Sequence, residues 1–435
     1  MNIETPNPAK GCSIAFDIGT TTLVGTLINN NASPKTRDGL GIKTISLPNP
    51  QRRWGKDVLS RIRSISKDPE LLKASQSSVV AACNEIISRL KPSVPVTELT
   101  AVGNSVMEHL LLGINPEPLG AMPYKPAFKD ARYVKAKELG LDVDDSAMLY
   151  AFPLIGGFVG GDTVAVALAL ELHNNTEGKN TLAIDIGTSS EIILSTPKGL
   201  YTASAAAGPA FEGGEITHGT SAGDGAIEGI TLNNDNLELQ IIGKGSGRAE
   251  GICGSGLISA VSLLLREGII DHTGRIKSKS EVLTNLSSKI MEGDDGNSFL
   301  LFKGPPSKSA PSEITLSQSD IRALQVAKAA IRAGIDILIN KAAITADEID
   351  ELYVTGAFGT NLNPKDLSTI GLLDTRWLPQ VKTIGDGALK GAVLALDDKL
   401  KSEAEEIARE TRYVSLSGTP GFQDSFIKSM DFPKI

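Results

Sequence analysis

Apolar and polar positions along this chain follow two rhythms that replace each other repeatedly. Short apolar runs bounded by turn residues predict strands at Ser13–Phe16, Leu23–Ile28, Ile42–Leu47 and Leu99–Val102. Longer stretches with apolar positions three and four apart predict helices near 55–66, 70–90 and 104–112. The last of these stops at the turn cluster Asn115-Pro116-Glu117-Pro118. Lys125–Leu149 carries scattered charge without a clear period and predicts no element. Further along, Val164–Leu172 reads as a buried linking helix, followed by a loop at His173–Lys179. The strongest helical period is Ile321, Leu324, Ala327, Ile331, Ile335 and Leu338, opened by Ser317 with Asp320 three residues on, a capping-box-like start. A strand at Glu351–Thr355 and a final helix from Gly385-Asp386-Gly387 through Leu396 complete the pattern.

Alternation of strands with helices makes the fold class α/β. A chain of 435 residues is too long for one core and suits two lobes. The expected layout is a disordered N-terminus over residues 1–11, a first lobe over 12–175 and a second over 180–435. Within the second, an irregular insertion at about 271–312 is rich in Ser, Lys, Gly and Pro, and the last helix, about 385–397, is expected to cross back.

One string occurs twice. Ile14-Ala15-Phe16-Asp17-Ile18-Gly19-Thr20-Thr21 returns a domain's length later as Leu182-Ala183-Ile184-Asp185-Ile186-Gly187-Thr188-Ser189. Each copy is a strand, a tight turn, and a second apolar run. A single Asp-x-Gly is ordinary turn chemistry; a duplicated one at domain spacing points to function. Gly19 and Gly187 let the backbone approach a ligand, and the hydroxyls of Thr20, Thr21, Thr188 and Ser189 can donate to phosphate oxygens. Asp17 and Asp185 suit a hydrated Mg²⁺, which takes one or two carboxylates together with waters and phosphates. Together the turns would clamp a nucleoside triphosphate.

Composition narrows the classes. A net charge of −8 argues against nucleic acid as the main partner. No run of about 20 apolar residues exists to span a membrane, and the N-terminus lacks a signal-peptide layout, so a cytoplasmic protein is expected. Cys12, Cys83 and Cys253 lie far apart, as do the four histidines, so no zinc site or iron–sulfur cluster is expected within this chain.

Four other segments carry candidate chemistry. Asp162, after Gly160-Gly161, either orients a water or a metal-bound water toward a γ-phosphate or caps the following helix. Glu212 and Gly213 lie in Gly208–Gly214, where the acid reaches a metal or ribose or belongs to a plain loop. Cys253 opens an apolar helix behind a glycine turn, where its thiol is either activated or simply small enough to pack. Gly356-Ala357-Phe358-Gly359 follows a strand and offers backbone against which adenine can lie.

The ordered set (phosphate turn, linking helix, second phosphate turn, adenosine turn, closing helix) resembles the acetate and sugar kinase, heat-shock chaperone and actin superfamily. Asn49-Pro50-Gln51 with Gly55–Ile62, Gly103-Asn104-Ser105 with His109–Gly113, Asn115–Gly120, Cys253-Gly254-Ser255-Gly256 and Phe422-Gln423-Asp424 resemble the ATPase domain of the reductive activators of corrinoid proteins. That resemblance implies two ribonuclease-H-like lobes with ATP and Mg²⁺ in the cleft between them. It also implies reduction of a Co(II) corrinoid to Co(I) driven by ATP. By matching position it implies that Asp17, Gly19, Thr20, Thr21, Asp185, Gly187, Thr188 and Ser189 hold phosphates and Mg²⁺. Gly356, Ala357 and Phe358 would face adenosine, and Asp162 would position water. Such activators usually carry an iron–sulfur domain; this sequence has no cysteine cluster, so a separate ferredoxin-like protein is the expected electron donor, a corrinoid protein the partner, and a homodimer the assembly. Alternatives within the same superfamily are a small-molecule kinase, an ATP-gated protein-binding or remodelling module, and an activator of 2-hydroxyacyl-CoA dehydratases.

Overall fold

The computed structural model describes residues 11–29, 43–234, 236–243, 248–305, 311–356 and 362–434. The expected disorder at the N-terminus and the residues Ala357 and Phe358 of the adenosine turn fall outside these. The chain divides into two compact units. One holds the described residues through Glu177 with Pro197–Thr202 and Asp386–Tyr413; the other holds Gly178–Thr196, Ala203–Gly385 and the chain from Val414 on.

In the first unit the strands are β1 (Cys12–Ile18), β2 (Thr22–Asn29), β3 (Lys43–Pro48), β4 (Val96–Val102), β5 (Arg132–Lys135) and β6 (Met148–Ala151). They form one sheet in the order β3-β2-β1-β4-β6-β5. β1, β2 and β3 are antiparallel neighbours, while β4 and β6 continue parallel to β1. β1 is buried at every position except Asp17, which is half-buried, the pattern of a central strand. Helices α1 (Val58–Lys67), α2 (Glu70–Leu90) and α3 (Ser105–Leu112) follow the predicted segments closely. α2 buries Val79, Val80, Cys83, Ile86, Ile87 and Leu90. A Cβ at Gly25 of β2 would stand 2.6 Å from Ile86 Cγ2, so only glycine lets the helix pack that close. α3 is closed by Gly113 at φ 68°, whose N–H returns to the His109 and Leu110 carbonyls. α4 (Gly161–Ala169) lies slightly earlier than the sequence period suggests, because its first turn is made by glycine and Asp162 rather than by apolar residues. Lys125–Leu149, without a period, supplies β5 and the start of β6; β5 is an exposed edge strand and lacks an apolar alternation.

The second unit's strands begin with β7 (Thr181–Asp185), β8 (Ser190–Thr196), β9 (Gly199–Ala205), β10 (Ala226–Asn233), β11 (Asn236–Ile241) and β12 (Gly251–Ile252), followed by α5 (Gly254–Arg266). β13 (Ile290–Met291), β14 (Ser298–Lys303), β15 (Glu313–Ser317), α6 (Gln318–Ala342), β16 (Glu351–Thr355), α7 (Pro364–Thr369) and β17 (Val381–Thr383) come next. The chain ends with α8 (Gly387–Leu394), α9 (Asp398–Glu410), β18 (Arg412–Tyr413) and α10 (Phe422–Lys428). The second six-stranded sheet has the order β17-β16-β7-β8-β9-β18. β7 pairs antiparallel with β8 and parallel with β16, which is parallel to β17. The neighbourhood of β7 thus repeats that of β1. α6 starts with both halves of a Ser317–Asp320 capping box in place.

The insertion is more regular than expected. β13, β14 and β15 form an antiparallel sheet, with β14 alternating buried and partly exposed residues. α9 has no counterpart in the predicted elements. Its sequence is mostly charged, and only Ala404 and Ile407 with the stem of Lys401 give it a buried face. Lys401 Nζ meets Glu98 Oε1 at 2.6 Å and Asp398 Oδ1 at 2.8 Å. No described helix is long and apolar enough to cross a membrane.

Within the first unit α4 and α8 cross with their backbones in contact. A Cβ on Gly391 of α8 would overlap the Ala165 carbonyl of α4, and Thr100 Oγ1 donates to the Ala392 carbonyl at 2.7 Å. Helix propensity alone favours Ala over Gly by about 1 kcal/mol. Overpacking against backbone opposes it by about 1–3 kcal/mol in well-packed cores and the neighbouring atom cannot rotate away. Gly391→Ala is therefore expected to lower the unfolding free energy measured in urea by about 1–3 kcal/mol. Gly223→Ala, whose Cβ meets only the Ser221 carbonyl at 4.0 Å, is the control and should stay within about 0.5 kcal/mol.

Candidate nucleotide site

In the first unit Asp17 stands one residue before the end of β1, opposite Val24 of β2 and Val102 of β4. The turn that follows is tight: a Cβ on Gly19 would lie 2.5 Å from the Thr22 carbonyl. Three successive carbonyls of this turn are held by the protein. Asn49 Nδ2 donates to Gly19 O at 2.8 Å, the Arg61 guanidinium to Thr20 O, and the Asn49 amide to Thr21 O at 2.8 Å. Asn49 and Arg61 are both 1 % exposed, and Arg61 Nε also donates to Gly55 O at 3.0 Å. Asn104 Nδ2 donates to Thr20 Oγ1 at 2.9 Å. The strings from Asn49 to Arg61 and at Gly103-Asn104 therefore converge on the first turn.

The second unit repeats the placement of the acid, with a hairpin register one residue shorter. Asp185 ends β7, opposite Glu191 of β8 and Thr355 of β16. Burial alternates identically through both turns: Asp, Gly and the final hydroxyl residue are half-buried, and Ile and Thr are buried. Gly356, at φ 114°, follows β16, and a Cβ there would sit 2.8 Å from Asp185 Oδ1 and 2.6 Å from Ile186 O. Gly103 holds the same place after β4, with its Cβ 2.9 Å from Ile18 O. The duplication thus extends to a second glycine in each unit, outside the repeated string.

The support of the second turn is different. Glu212 Oε1 accepts from the Thr188 amide at 2.8 Å and from Thr188 Oγ1 at 2.7 Å. Glu212 Oε2 is buried without a hydrogen-bond partner. Gly187 N–H donates to Ser190 Oγ at 3.3 Å, and Gly208 N–H to Thr188 O at 3.0 Å. Gly213, at φ 73°, closes the Pro209–Glu212 turn. Glu212 is thus a ligand of the turn itself, and Thr188 directs its donors to that acid. Ser189 is half-buried beside it.

Asp162 lies in the first turn of α4, but the N-cap is Gly160. The cap reading is corrected in position: Asp162 is the second helical residue, and its Oδ1 accepts from Thr163 N at 2.6 Å and Thr163 Oγ1 at 3.3 Å. Its own amide donates to Gly103 O at 3.2 Å. Burial raises its pKa to about 6 against the opposing pull of these bonds. Behind it stands Glu108 of α3, fully buried, whose Oε1 accepts from Gly161 N at 3.1 Å. Burial, and then the charge of Asp162, push the Glu108 pKa well above the carboxylate range. Burial thus raises the pKa of both carboxyls, while the Thr163 bonds hold that of Asp162 down. Glu108 was not a predicted site residue; an acid in the apolar stretch Val106–Leu112 was the available signal. Asp386 caps α8, accepting from Leu389 N at 2.8 Å.

The cysteines are packing residues. Cys253 is fully buried, with its thiol on Ile227 O and Ser255 Oγ at 3.3 Å each. Burial pushes the Cys83 thiol up to about 12. Among the described residues no group of three or more His, Cys, Asp or Glu gathers to hold a metal. One half-buried carboxylate per turn is nonetheless the donor set that suits Mg²⁺, which keeps waters and phosphate oxygens.

The C-terminal domain of RACo, the ASKHA domain, matches residues 179–435, and the RACo middle region matches residues 12–175. The chain belongs to the RACo family. This RACo-family chain has the actin-like ATPase fold of that domain. It is 34 % identical over 437 residues to the corrinoid activation enzyme RamQ of Eubacterium limosum, covering 99 % of this chain and 71 % of RamQ. It is 28 % identical over 264 residues to the Co(II) methylated amine-specific corrinoid protein reductase of Methanosarcina barkeri, covering 56 % of this chain and 44 % of that protein. A solved structure of a reductive activator for corrinoid, iron-sulfur protein superposes with a TM-score of 0.87 at 34 % identity, over 98 % of this chain and 67 % of that one.

A carboxyl whose pKa is raised on folding keeps its proton at pH values where the unfolded chain has lost it. Stability then falls as pH rises through the window between the two pKa values. The slope for one group is at most about 1.4 kcal/mol per pH unit. Glu108→Gln keeps an oxygen for Gly161 N–H and removes this titration. Its stability relative to the wild type is expected to rise as the pH is raised above the ordinary carboxylate range in urea denaturation; a constant difference would mean that Glu108 is ionised in the fold.

Proposed function

We propose that this chain is an ATP-dependent activator of a corrinoid protein, coupling ATP binding and hydrolysis to one-electron reduction of Co(II) to Co(I). The observation that carries this reading is the duplicated acidic turn on two equivalent sheets, in a chain 34 % identical across 99 % of its length to a corrinoid activation enzyme. Gly19, Thr20, Thr21, Gly187, Thr188 and Ser189 would line the phosphates, and Asp17 and Asp185 would hold a hydrated Mg²⁺. Bound Mg²⁺ supplies charge neutralisation on the phosphate oxygens. Gly356, Ala357 and Phe358 face adenosine. Asp162, ionised and held by Thr163, orients the attacking water. The electron comes from a separate ferredoxin-like donor, and the chain works as a cytoplasmic homodimer.

The test is ATP hydrolysis with and without a Co(II) corrinoid protein and a low-potential donor, with cobalt followed by visible absorption. Partner-stimulated hydrolysis with appearance of Co(I) is expected; its absence across several corrinoid proteins would return the chain to the kinase or binding-module class. Asp17→Asn and Asp185→Asn are each expected to lower Mg²⁺-dependent turnover by about 100-fold or more, the scale of losing a charge-stabilising group. Near-wild-type rates in both would refute the assignment. Because Asp162 must be ionised to hold water, turnover should fall about tenfold per pH unit below its pKa of about 6. In Asp162→Asn the residual rate should lose that acid limb.

A further inference from the structure

The two copies of the turn agree in burial and in their place at a strand end but are held by groups of opposite character. In the first, neutral and cationic donors from Asn49 and Arg61 take the carbonyls of Gly19, Thr20 and Thr21. In the second, an anion takes a backbone amide and a hydroxyl: Glu212 Oε1 lies 2.8 Å from Thr188 N and 2.7 Å from Thr188 Oγ1. Those are the two donors that a phosphate oxygen would use.

Glu212 is also fixed in place. Its turn is tied back to Thr188 by the Gly208 N–H to Thr188 O bond, and Gly213 next to it fits against the Thr220 backbone so closely that a Cβ would overlap it. The other carboxylate oxygen is buried without a hydrogen-bond partner. Asp185 adds a second carboxylate at the head of the same turn, within 2.8 Å of the Cβ position of Gly356. A bare phosphate arriving here meets two acids and finds the Thr188 donors already engaged.

We propose that Glu212 is a specificity-determining residue that makes the second turn accept only nucleotide whose phosphates are complexed with a divalent cation. The inference rests on the reading of the chain as a nucleotide-binding protein and adds which form of the nucleotide it selects. In the metal complex the cation offsets the charge of the acids; in the free nucleotide nothing does, and like charges at contact distance repel strongly.

The experiment is titration calorimetry of ATP and ADP, with excess Mg²⁺ and separately with EDTA, on the whole chain and on Glu212→Gln and Glu212→Asp. Glutamine keeps the length and an acceptor oxygen for Thr188 and removes the charge. The wild type is expected to prefer the Mg²⁺ complex. In Glu212→Gln the ratio of metal-complexed to metal-free affinity should fall by about tenfold, chiefly through tighter metal-free binding, as removal of one nearby charge predicts. Glu212→Asp keeps the charge and should keep most of the preference. Equal changes in both affinities, or an unchanged ratio in Glu212→Gln with thermal unfolding like the wild type, would overturn the inference. A wild-type chain that binds neither form would instead overturn the nucleotide reading on which it rests.

Discussion

The architecture depends on how closely two parallel strand ends approach each other in each unit. Strand β7 ends at Asp185, and its neighbour β16 is followed by Gly356, whose Cβ would press on Asp185 Oδ1 and Ile186 O. No side chain larger than hydrogen fits there, and φ 114° at Gly356 is a conformation that only glycine adopts without strain. In the first unit the same approach is made by β1 and β4, with Gly103 against Ile18 O. A second layer is then stacked on it: Gly160 fits against the Gly103 carbonyl and Gly161 against Glu108. The sequence Gly160-Gly161-Asp162 is thus a packing requirement that sets an acid beside the strand end. The placement of the acid and the glycine usage have one cause here.

The site is assembled from groups that fold against their own solvation. Arg61 is 1 % exposed and directs its guanidinium at the Thr20 carbonyl of the turn and at Gly55 O; Glu108 is 0 % exposed with one carboxyl oxygen unpartnered. Each such burial opposes folding. The surrounding apolar core, from Ile14 and Phe16 of β1 to Ile86 of α2, supplies the compensating hydrophobic term. Buried polar and ionisable groups in that setting fix orientation: the Arg61 and Asn49 bonds hold the first turn, and Glu108 Oε1 holds the start of α4 through the Gly161 amide.

What could be read from the sequence follows from what each element needs locally. The Asp-Ile-Gly-Thr turns, α6 with its Ser317–Asp320 box and the amphipathic α2 were legible, because turn chemistry and a 3.6-residue period are written in adjacent residues. β5 and α9 were not, since an exposed edge strand and a helix with little apolar face carry weak periods. Long-range support was not legible either. Asn49, Arg61 and Asn104 stood in strings that resembled a family, without any local sign that they meet at the first turn, and Glu108 stood in none of those strings. Thr188 could be seen as a hydroxyl donor, but its acceptor, Glu212, lies on a separate loop.

This division explains why the repeated motif is so short. In both copies Ile is buried, Gly lies where its neighbours leave little room, and Asp is half-buried at a strand end, so these positions are fixed by the fold. Phe16 and Ile184, or Thr21 and Ser189, differ because an apolar side chain of either shape, or either hydroxyl, meets the same need. Chemistry that distinguishes the two units must therefore enter from outside the motif. Asn49 and Arg61 approach one turn through its carbonyls, and Glu212 approaches the other through its amide and hydroxyl. Two turns alike in burial and strand neighbours thus differ in register and in local charge, one supported by donors and the other by an acid.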